Sequence, residues 1–141
     1  QVFEQLRLPV EFRRSLIRRR LGQGTFSMKV NDVYETRCVV SGERTRPVLE
    51  AAHIRPVEHG GVHSVDNGLL LRVDIHKLFD KGYVTVTPDG RFLVSNSLRE
   101  DWKNGRIYYD LHGHPIRDPV RPDYRPAREF LEWHNDTMFR A

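Results

Sequence analysis

The sequence predicts an α+β domain, and three observations carry this prediction. Two stretches before residue 40 and one near the C-terminus have apolar residues at helical spacing. The central residues 48–82 follow the order strand, long loop, strand, helix. Alternating apolar and polar residues on both sides of Pro88-Asp89-Gly90 predict an additional β-hairpin. Helices and a hairpin should therefore flank a small central core.

Length and composition indicate one globular domain. The chain has 141 residues, of which 38% are hydrophobic and 30% charged, which suits a water-soluble fold with a sizeable core. No apolar run reaches the length of a membrane span, so no membrane partner is expected. Cys38 is the single cysteine, which excludes a disulfide framework or a multi-thiolate zinc site within one chain. We expect Cys38 in the core of a cytoplasmic protein.

The charge favours a polyanionic partner only slightly. The net charge is +4 and arginine outnumbers lysine. Guanidinium groups match phosphate in a bidentate way, but a charge of this size also serves solubility alone.

Two helices are predicted before the central segment. The first, in "VEFRRSLIRRRLGQG", ends at Gly22 and Gly24. Its apolar residues fall near one face: Phe12, Leu16, Ile17 and Leu21. The second, in "FSMKVNDVYETRC", has one buried face made of Phe26, Val30, Val33 and Tyr34.

The later elements follow from local signals. The central helix, in "VDIHKLFDKG", ends at Gly82. After the hairpin, "SLREDWKNG" predicts a helix with a serine cap at Ser97 and Glu100 three residues beyond. A proline-rich stretch that wraps the surface then leads to an amphipathic helix in "AREFLEWHNDTMF".

Four polar residues of the central segment are placed to converge. His53 ends the first strand, Asn67 ends the loop, and His76 and Asp80 are four residues apart on the helix, so both project from one face. Imidazole and carboxylate at that spacing can hold one divalent ion, with other positions left to water or phosphate. Asn67 could fix the loop or orient His53 through its amide.

These residues carry a family resemblance. "AAHI", "NG" and "HKLFD" resemble the three parts of an HNH nuclease motif, with fourteen residues from His53 to Asn67 and nine more to His76. The frame around residues 37–95 is similar to HNH domains of bacterial restriction endonucleases. The resemblance implies a ββα-metal core within the α+β domain, in which the first-strand histidine is the general base, the asparagine is structural and helix residues bind metal.

The resemblance assigns roles to this chain. It implies a metal-dependent endonuclease acting on double-stranded DNA, with His53 and Asn67 as catalytic-site residues and His76 and Asp80 as metal ligands. One divalent ion is expected, Mg²⁺ first, while an imidazole ligand would also accept Mn²⁺, Co²⁺, Ni²⁺ or Zn²⁺. Neutral His53 would take a proton from water, since its ordinary pKa lies near neutral pH.

The sequence departs from the family pattern at two places. Many HNH motifs have an Asp or His ligand directly before the catalytic histidine, where this chain has Ala52. Strand alternation puts Glu50 on the face opposite His53, so Glu50 is not expected as its replacement. Some members also carry paired cysteines for a structural zinc, and this chain lacks the second thiol.

The remaining basic residues receive weaker assignments. Arg55 and Arg72 flank the predicted site and are expected to contact DNA phosphates, whereas the arginines at 18–20 fit a DNA grip or a solvated helix face equally well. The other histidines are expected to be loop, surface or packing residues: His59 and His63 in the loop, His112 and His114 outside the motif, and His134 in the last helix.

The organisation expected for the whole protein follows the resemblance. Because the chain lacks an initiator Met, residues 1–24 are interpreted as a helix or linker to an upstream target-recognition domain, and residues 25–141 as the HNH domain with its core at about 48–82. A restriction-type enzyme, modification-dependent in one version of this interpretation, and a homodimer are expected. Two alternatives stay open: a non-catalytic nucleic-acid-binding module, for which Ala52 argues, and a toxin-type nuclease domain.

Overall fold

The computed structural model describes residues 9–141, in the order helix, two strands, helix, hairpin and three short helices. Residues 1–8, the start of the predicted N-terminal helix or linker, lie outside the described residues. Two separate two-stranded antiparallel sheets accompany the helices, which confirms the predicted α+β class.

Helix α1 (Val10–Val33) is one continuous helix where the sequence predicted two. The prediction that Gly22 and Gly24 end a first helix was wrong. An interior glycine costs about 1 kcal/mol relative to alanine, which is too little to end a helix whose C-terminal half is fixed by packing. The predicted division of the chain at residue 24 falls inside this helix, and as a statement about domains it stays a prediction.

The two halves of α1 have different surroundings. Phe26, Val30 and Val33 in the C-terminal half are buried, as their spacing predicted. In the N-terminal half Ile17 and Leu21 are 53% and 65% exposed, so the buried face predicted there is not formed within the described residues. The C-terminal half therefore anchors α1 to the core.

The central core consists of two strands and a helix. Strand β1 (Leu49–His53) pairs antiparallel with β2 (Gly68–Arg72), and helix α2 (Val73–Asp80) follows β2 directly. Both α1 and α2 pack against these strands. Five apolar residues of β2 and α2 are almost fully buried: Leu69, Leu70, Leu71, Ile75 and Phe79. This is the strand–loop–strand–helix order that the sequence predicted.

The pairing register separates the two ends of this sheet. His53 lies opposite Gly68 at the end from which the long loop leaves. Leu49 lies opposite Arg72 at the other end. The loop contains two 3-10 turns, Val57–His59 and Val65–Asn67.

A hairpin and three helices complete the domain. Strands β3 (Val84–Val86) and β4 (Phe92–Val94) pair across the predicted turn, where Gly90 has a φ of +83°. Three helices follow: α3 (Ser97–Trp102), α4 (Arg106–Tyr109) and α5 (Arg128–Thr137). The predicted cap at Ser97 was wrong, because Asn96 is the N-cap residue and its side chain forms no capping hydrogen bond; the Ser97 amide instead donates to the Ser95 hydroxyl.

Two polar residues tie the layers together. His134 on α5 is 1% exposed, and its ring nitrogens lie 2.7 Å from the Thr85 hydroxyl and 2.9 Å from the Phe79 carbonyl. Burial lowers the pKa of His134 to about 4, so the ring is neutral and structural. Cys38 is buried and its sulfur accepts a hydrogen bond from the Arg72 amide, as expected of a core thiol.

Among the described helices, none combines the length and the apolar character that crossing a bilayer requires.

Candidate active site

An open pocket of about 1000 Å³ lies where β1, α1 and α2 meet. We call it the histidine pocket and define it by six of its lining residues: Arg19, Arg20, His53, His63, His76 and Asp80. Three of the predicted site residues, from two different elements, are therefore brought to one cavity.

The imidazole ring of His53 is held at the pocket by contacts with two neighbouring rings. The ring stacks on Phe26 of α1, with centroids 3.9 Å apart and an interplanar angle of 7°. Its Nε2 lies 3.0 Å from Nδ1 of His63 in the loop. Burial lowers the pKa of His53, and the neighbouring His63 lowers it further. His53 is therefore neutral near pH 7, in the state that can accept a proton.

Asn67 fixes the loop behind His53. It is fully buried, and its amide group accepts a hydrogen bond from the Arg55 backbone NH and donates to the backbone carbonyls of Arg55 and Val62. These bonds clamp the two ends of the loop together immediately after β1. Of the two roles considered for Asn67, its contacts are those of loop fixation.

Gly61 permits this closed loop. A Cβ at Gly61 would lie 1.7 Å from the Arg55 carbonyl oxygen, so a side chain has no room where the loop backbones approach.

His76 is held between two carboxylates. Its Nε2 lies 3.2 Å from Asp80 Oδ2, one helical turn away on α2. Its Nδ1 lies 2.8 Å from Oε1 of Glu50 on β1. Burial opposes a charge on His76, but the hydrogen bonds to Asp80 and Glu50 outweigh it and raise the pKa above its ordinary value.

The contact with Glu50 was missed by reasoning from the sequence. Strand alternation places Glu50 and His53 on opposite faces of β1. Helix α2, however, packs against the sheet and brings His76 within hydrogen-bond distance of Glu50. Ala52 is fully buried in the core. The position before His53 thus contributes packing here.

Comparison with known proteins identifies a family that the central segment of the chain matches. Residues 38–87 match the HNH endonuclease family. This range contains His53, Asn67, His76 and Asp80, so the resemblance drawn from their spacing is confirmed. No curated protein matches the sequence.

The fold of the HNH segment and its flanks also occurs in a solved structure. It resembles a protein described as "Modification dependent TagI restriction endonuclease", with a TM-score of 0.60 and 24% sequence identity. The similarity covers 81% of this chain and 37% of the other, so this chain spans little more than a third of that protein. At this identity the likeness is one of fold.

Two features of the HNH segment fit a bound divalent ion: the spacing of two donor atoms, and a carboxylate that orients one of the ligands. Neighbouring ligands of an ion bound at about 2.1 Å are about 3 Å apart, close to the 3.2 Å between His76 Nε2 and Asp80 Oδ2. A carboxylate behind the other nitrogen of a ligating histidine, as Glu50 is here, orients the ring. Among residues 9–141 no group of three or more His, Cys, Asp or Glu side chains could hold a metal, so further ligands would be water or phosphate.

The predicted arginines lie in different places. Arg55 follows β1, and its guanidinium lies 5.3 Å from the centre of the Trp133 ring beside the HNH segment. Arg72 lies at the far end of the sheet and forms a bidentate ion pair with Asp74, at 2.6 and 3.0 Å. The structure therefore does not bring Arg72 together with His53.

The arginine run of α1 provides the basic residues at the pocket. Arg19 and Arg20 are exposed and line it, so both interpretations of residues 18–20, a DNA grip and a solvated helix face, stay predictions. Their position could not be read from the sequence, because it depends on α1 continuing past Gly22.

The remaining histidines follow their expectations with one exception. His112 accepts a hydrogen bond from the Val94 amide through Nδ1, and His59 lies beside Trp133 with ring centroids 5.6 Å apart. His63, expected to be a solvent-exposed or DNA-contacting loop residue, is exposed, but its contact with His53 inside the pocket was not predicted.

Proposed function

We propose that this domain is a metal-dependent endonuclease that hydrolyses phosphodiester bonds of double-stranded DNA. One observation carries the proposal: a single pocket holds a histidine with a lowered pKa, His53, together with a histidine–carboxylate pair on α2. The match of residues 38–87 to HNH endonucleases supports the same chemistry.

His53 would act as the general base. Its neutral ring would accept a proton from a water molecule through Nε2 as that water attacks phosphorus. The stack on Phe26 fixes the plane of the ring, and Asn67 fixes the backbone that follows it. Positioning of this kind lowers the entropic part of the barrier.

His76 and Asp80 would hold the divalent ion. Mg²⁺ is the first choice, and the imidazole ligand also suits Mn²⁺, Co²⁺, Ni²⁺ or Zn²⁺. When bound, the ion supplies stabilisation of the negative charge on the phosphate and the leaving oxygen. Glu50 would keep the Nε2 lone pair of His76 directed at the ion, by accepting the proton of Nδ1.

The DNA backbone would enter beneath α1. Arg19 and Arg20 line the pocket, and Arg55, two residues beyond β1, has its guanidinium 5.3 Å from the centre of the Trp133 ring. Such contacts position a duplex without reading its sequence. Arg72 was predicted for the same role, but its ion pair with Asp74 favours a structural one.

The wider assignment is a restriction-type enzyme. The solved structure of similar fold is described as modification-dependent, and this chain spans 37% of it. We propose that target recognition, including any preference for modified bases, belongs to a domain upstream of residues 25–141. A homodimer would provide two sites, one for each strand. A cytoplasmic location follows from a DNA substrate of this type.

Supercoiled plasmid is the substrate that tests the activity. With Mg²⁺ or Mn²⁺ the protein should convert it to nicked or linear forms, and a chelator should stop the reaction. His53→Ala should retain DNA binding and lose cleavage, while His114→Ala, at an exposed histidine outside the pocket, should leave cleavage unchanged. A protein that binds DNA but does not nick it with any metal would be a non-catalytic binding module and not a nuclease. The buried Ala52, which offers no metal ligand, is the observation that favours this alternative.

A further inference from the structure

The contact between His53 and His63 blocks the atom that the proposed chemistry needs. A hydrogen bond between Nε2 of His53 and Nδ1 of His63 requires one N–H and one lone pair. If His53 donates, its Nε2 already carries a proton. If His63 donates, the Nε2 lone pair is already used. In either tautomer His53 cannot take a proton from water through Nε2 while His63 stays in place.

His63 is seated by more than this one bond. Its ring meets the edge of the His53 ring at 5.0 Å between centroids, and lies 6.1 Å from the Phe26 ring. On its other side it lies against α1, where a Cβ added at Gly22 would be 3.1 Å from Cδ2 and 3.5 Å from Nε2. The glycine thus leaves the space in which His63 sits.

The same contacts argue against a proton relay through His63. A relay would need Nε2 of His63 to face water at the reacting phosphate. That nitrogen instead lies on the ring edge turned toward α1 at Gly22.

The side chain can leave while the loop stays. His63 is exposed, and the neighbouring Val62 carbonyl is held by Asn67. Rotation of an exposed side chain is fast and needs no movement of the backbone. A strand of DNA in the pocket would compete for the same space.

We propose that His63 is a positioning residue: it keeps Nε2 of His53 hydrogen-bonded, and so unavailable to water, until DNA enters the pocket. The inference rests on the proposed role of His53 as the base. DNA in the pocket would shift His63 from the seated to the open position, so Nε2 of His53 would be available mainly in the DNA complex.

Cleavage kinetics of His63→Ala test the proposal. Loss of one neutral hydrogen bond should raise kcat/KM about two- to tenfold through a lower KM, with kcat unchanged within about twofold. A fall in kcat of tenfold or more would show that His63 takes part in the chemistry and would overturn the proposal. Unchanged kcat and KM would overturn it as well.

A matched pair of glycine variants displaces His63 without altering it. Gly22→Ala puts a methyl group against the ring and should change kcat/KM in the same direction as His63→Ala. Gly24→Ala adds the same methyl group to the same helix and meets no protein atom within 4 Å. Because Gly24 also lines the pocket, the two variants are compared without DNA, where Gly24→Ala should leave the ¹⁵N resonances of the His53 ring unchanged and Gly22→Ala should shift them. Equal effects of the two variants would assign the change to helix propensity and overturn the proposal.

A spectroscopic measurement separates this proposal from the nuclease assignment. The ¹⁵N resonances of the His53 ring, recorded in chelator so that no cleavage occurs, should shift in His63→Ala. A short duplex added to the wild type should produce a change in the same direction. If His53→Ala still cleaves DNA, the base role fails, while these spectra still decide whether DNA opens the contact. Resonances that do not respond to the duplex would overturn the proposal.

Discussion

Oε1 of Glu50 lies 2.8 Å from Nδ1 of His76, so a carboxylate on β1 fixes the ring whose other nitrogen faces Asp80 on α2. Glu50 on β1 thus orients the imidazole of His76 on α2. This gives the first strand a part in the proposed metal site although Ala52 carries no donor atom.

Glu50→Gln should weaken metal use without abolishing it. The amide cannot accept the Nδ1 proton as strongly as a carboxylate, and such partners typically change metal affinity about 10- to 100-fold. The Mn²⁺ concentration that gives half-maximal nicking should therefore rise by about that factor, while DNA binding in chelator stays the same. Glu132→Gln, which removes an exposed carboxylate paired only with Arg128, serves as the control. Equal Mn²⁺ requirements in Glu50→Gln and wild type would contradict the role of Glu50.

His134 should make the fold sensitive to acid. Its folded pKa of about 4 lies below the ordinary value of 6.5, so the folded state resists the proton that the unfolded state takes up. The stability that this provides is complete above pH 6.5 and is lost as the pH falls from 6.5 through 4. The loss amounts to about 3 kcal/mol at most. Urea unfolding at pH 7 and pH 4.5 should show a smaller difference for His134→Gln than for wild type; equal differences would show that other groups dominate.

Asn67→Asp should loosen the loop and reduce cleavage. A carboxylate cannot donate to the Arg55 and Val62 carbonyls, and it would bury a negative charge against them. A buried partner left without its hydrogen bond costs about 1–3 kcal/mol. We expect a lower unfolding free energy and faster amide exchange in residues 55–67. Asn104→Asp, at an exposed asparagine, supplies the same chemical change without burial, and a similar loss there would refute the explanation.

The arginines can be ranked by the salt dependence of DNA binding. Each phosphate contact contributes about 0.9 to the slope of log K against log salt. Arg19→Gln and Arg55→Gln should each reduce the slope by about this amount. Arg72→Gln should leave the slope unchanged and lower stability instead, since Asp74, which also accepts a hydrogen bond from Tyr108, loses its ion pair. Arg44→Gln, at an exposed position outside the pocket, is the control; a reduced slope for Arg72→Gln would restore its predicted contact with DNA.

The sequence predicted the parts of the site that depend on spacing along one chain segment. The strand–loop–helix order and the intervals of the HNH resemblance predicted His53 and His76 as site residues, and the structure brings both to one pocket, while Asn67 holds the loop behind it. The same local reasoning predicted the turn at Gly90 and the buried face of Phe26, Val30 and Val33.

What could not be predicted depends on contacts between segments that are distant in sequence. Glu50 reaches His76 because α2 packs against both strands of the sheet, and strand alternation alone does not describe that packing. His63 meets His53 because the loop folds against α1 at Gly22. The continuity of α1 was itself missed, since a glycine raises the free energy of a helix by an amount that tertiary packing easily exceeds.

The continuity of α1 has a mechanical consequence. A helix of 24 residues is about 36 Å long, and this one has its C-terminal half embedded in the core. The ring of Phe26 stacks on the ring of His53, and Phe26 lies on the same helix as Val10 at its other end. Gly22 and Gly24 lie between Val10 and Phe26, and glycines are among the positions at which helices kink. A displacement of the N-terminal half of α1 would therefore reach the ring that stacks on His53 only while the helix stays straight at these glycines.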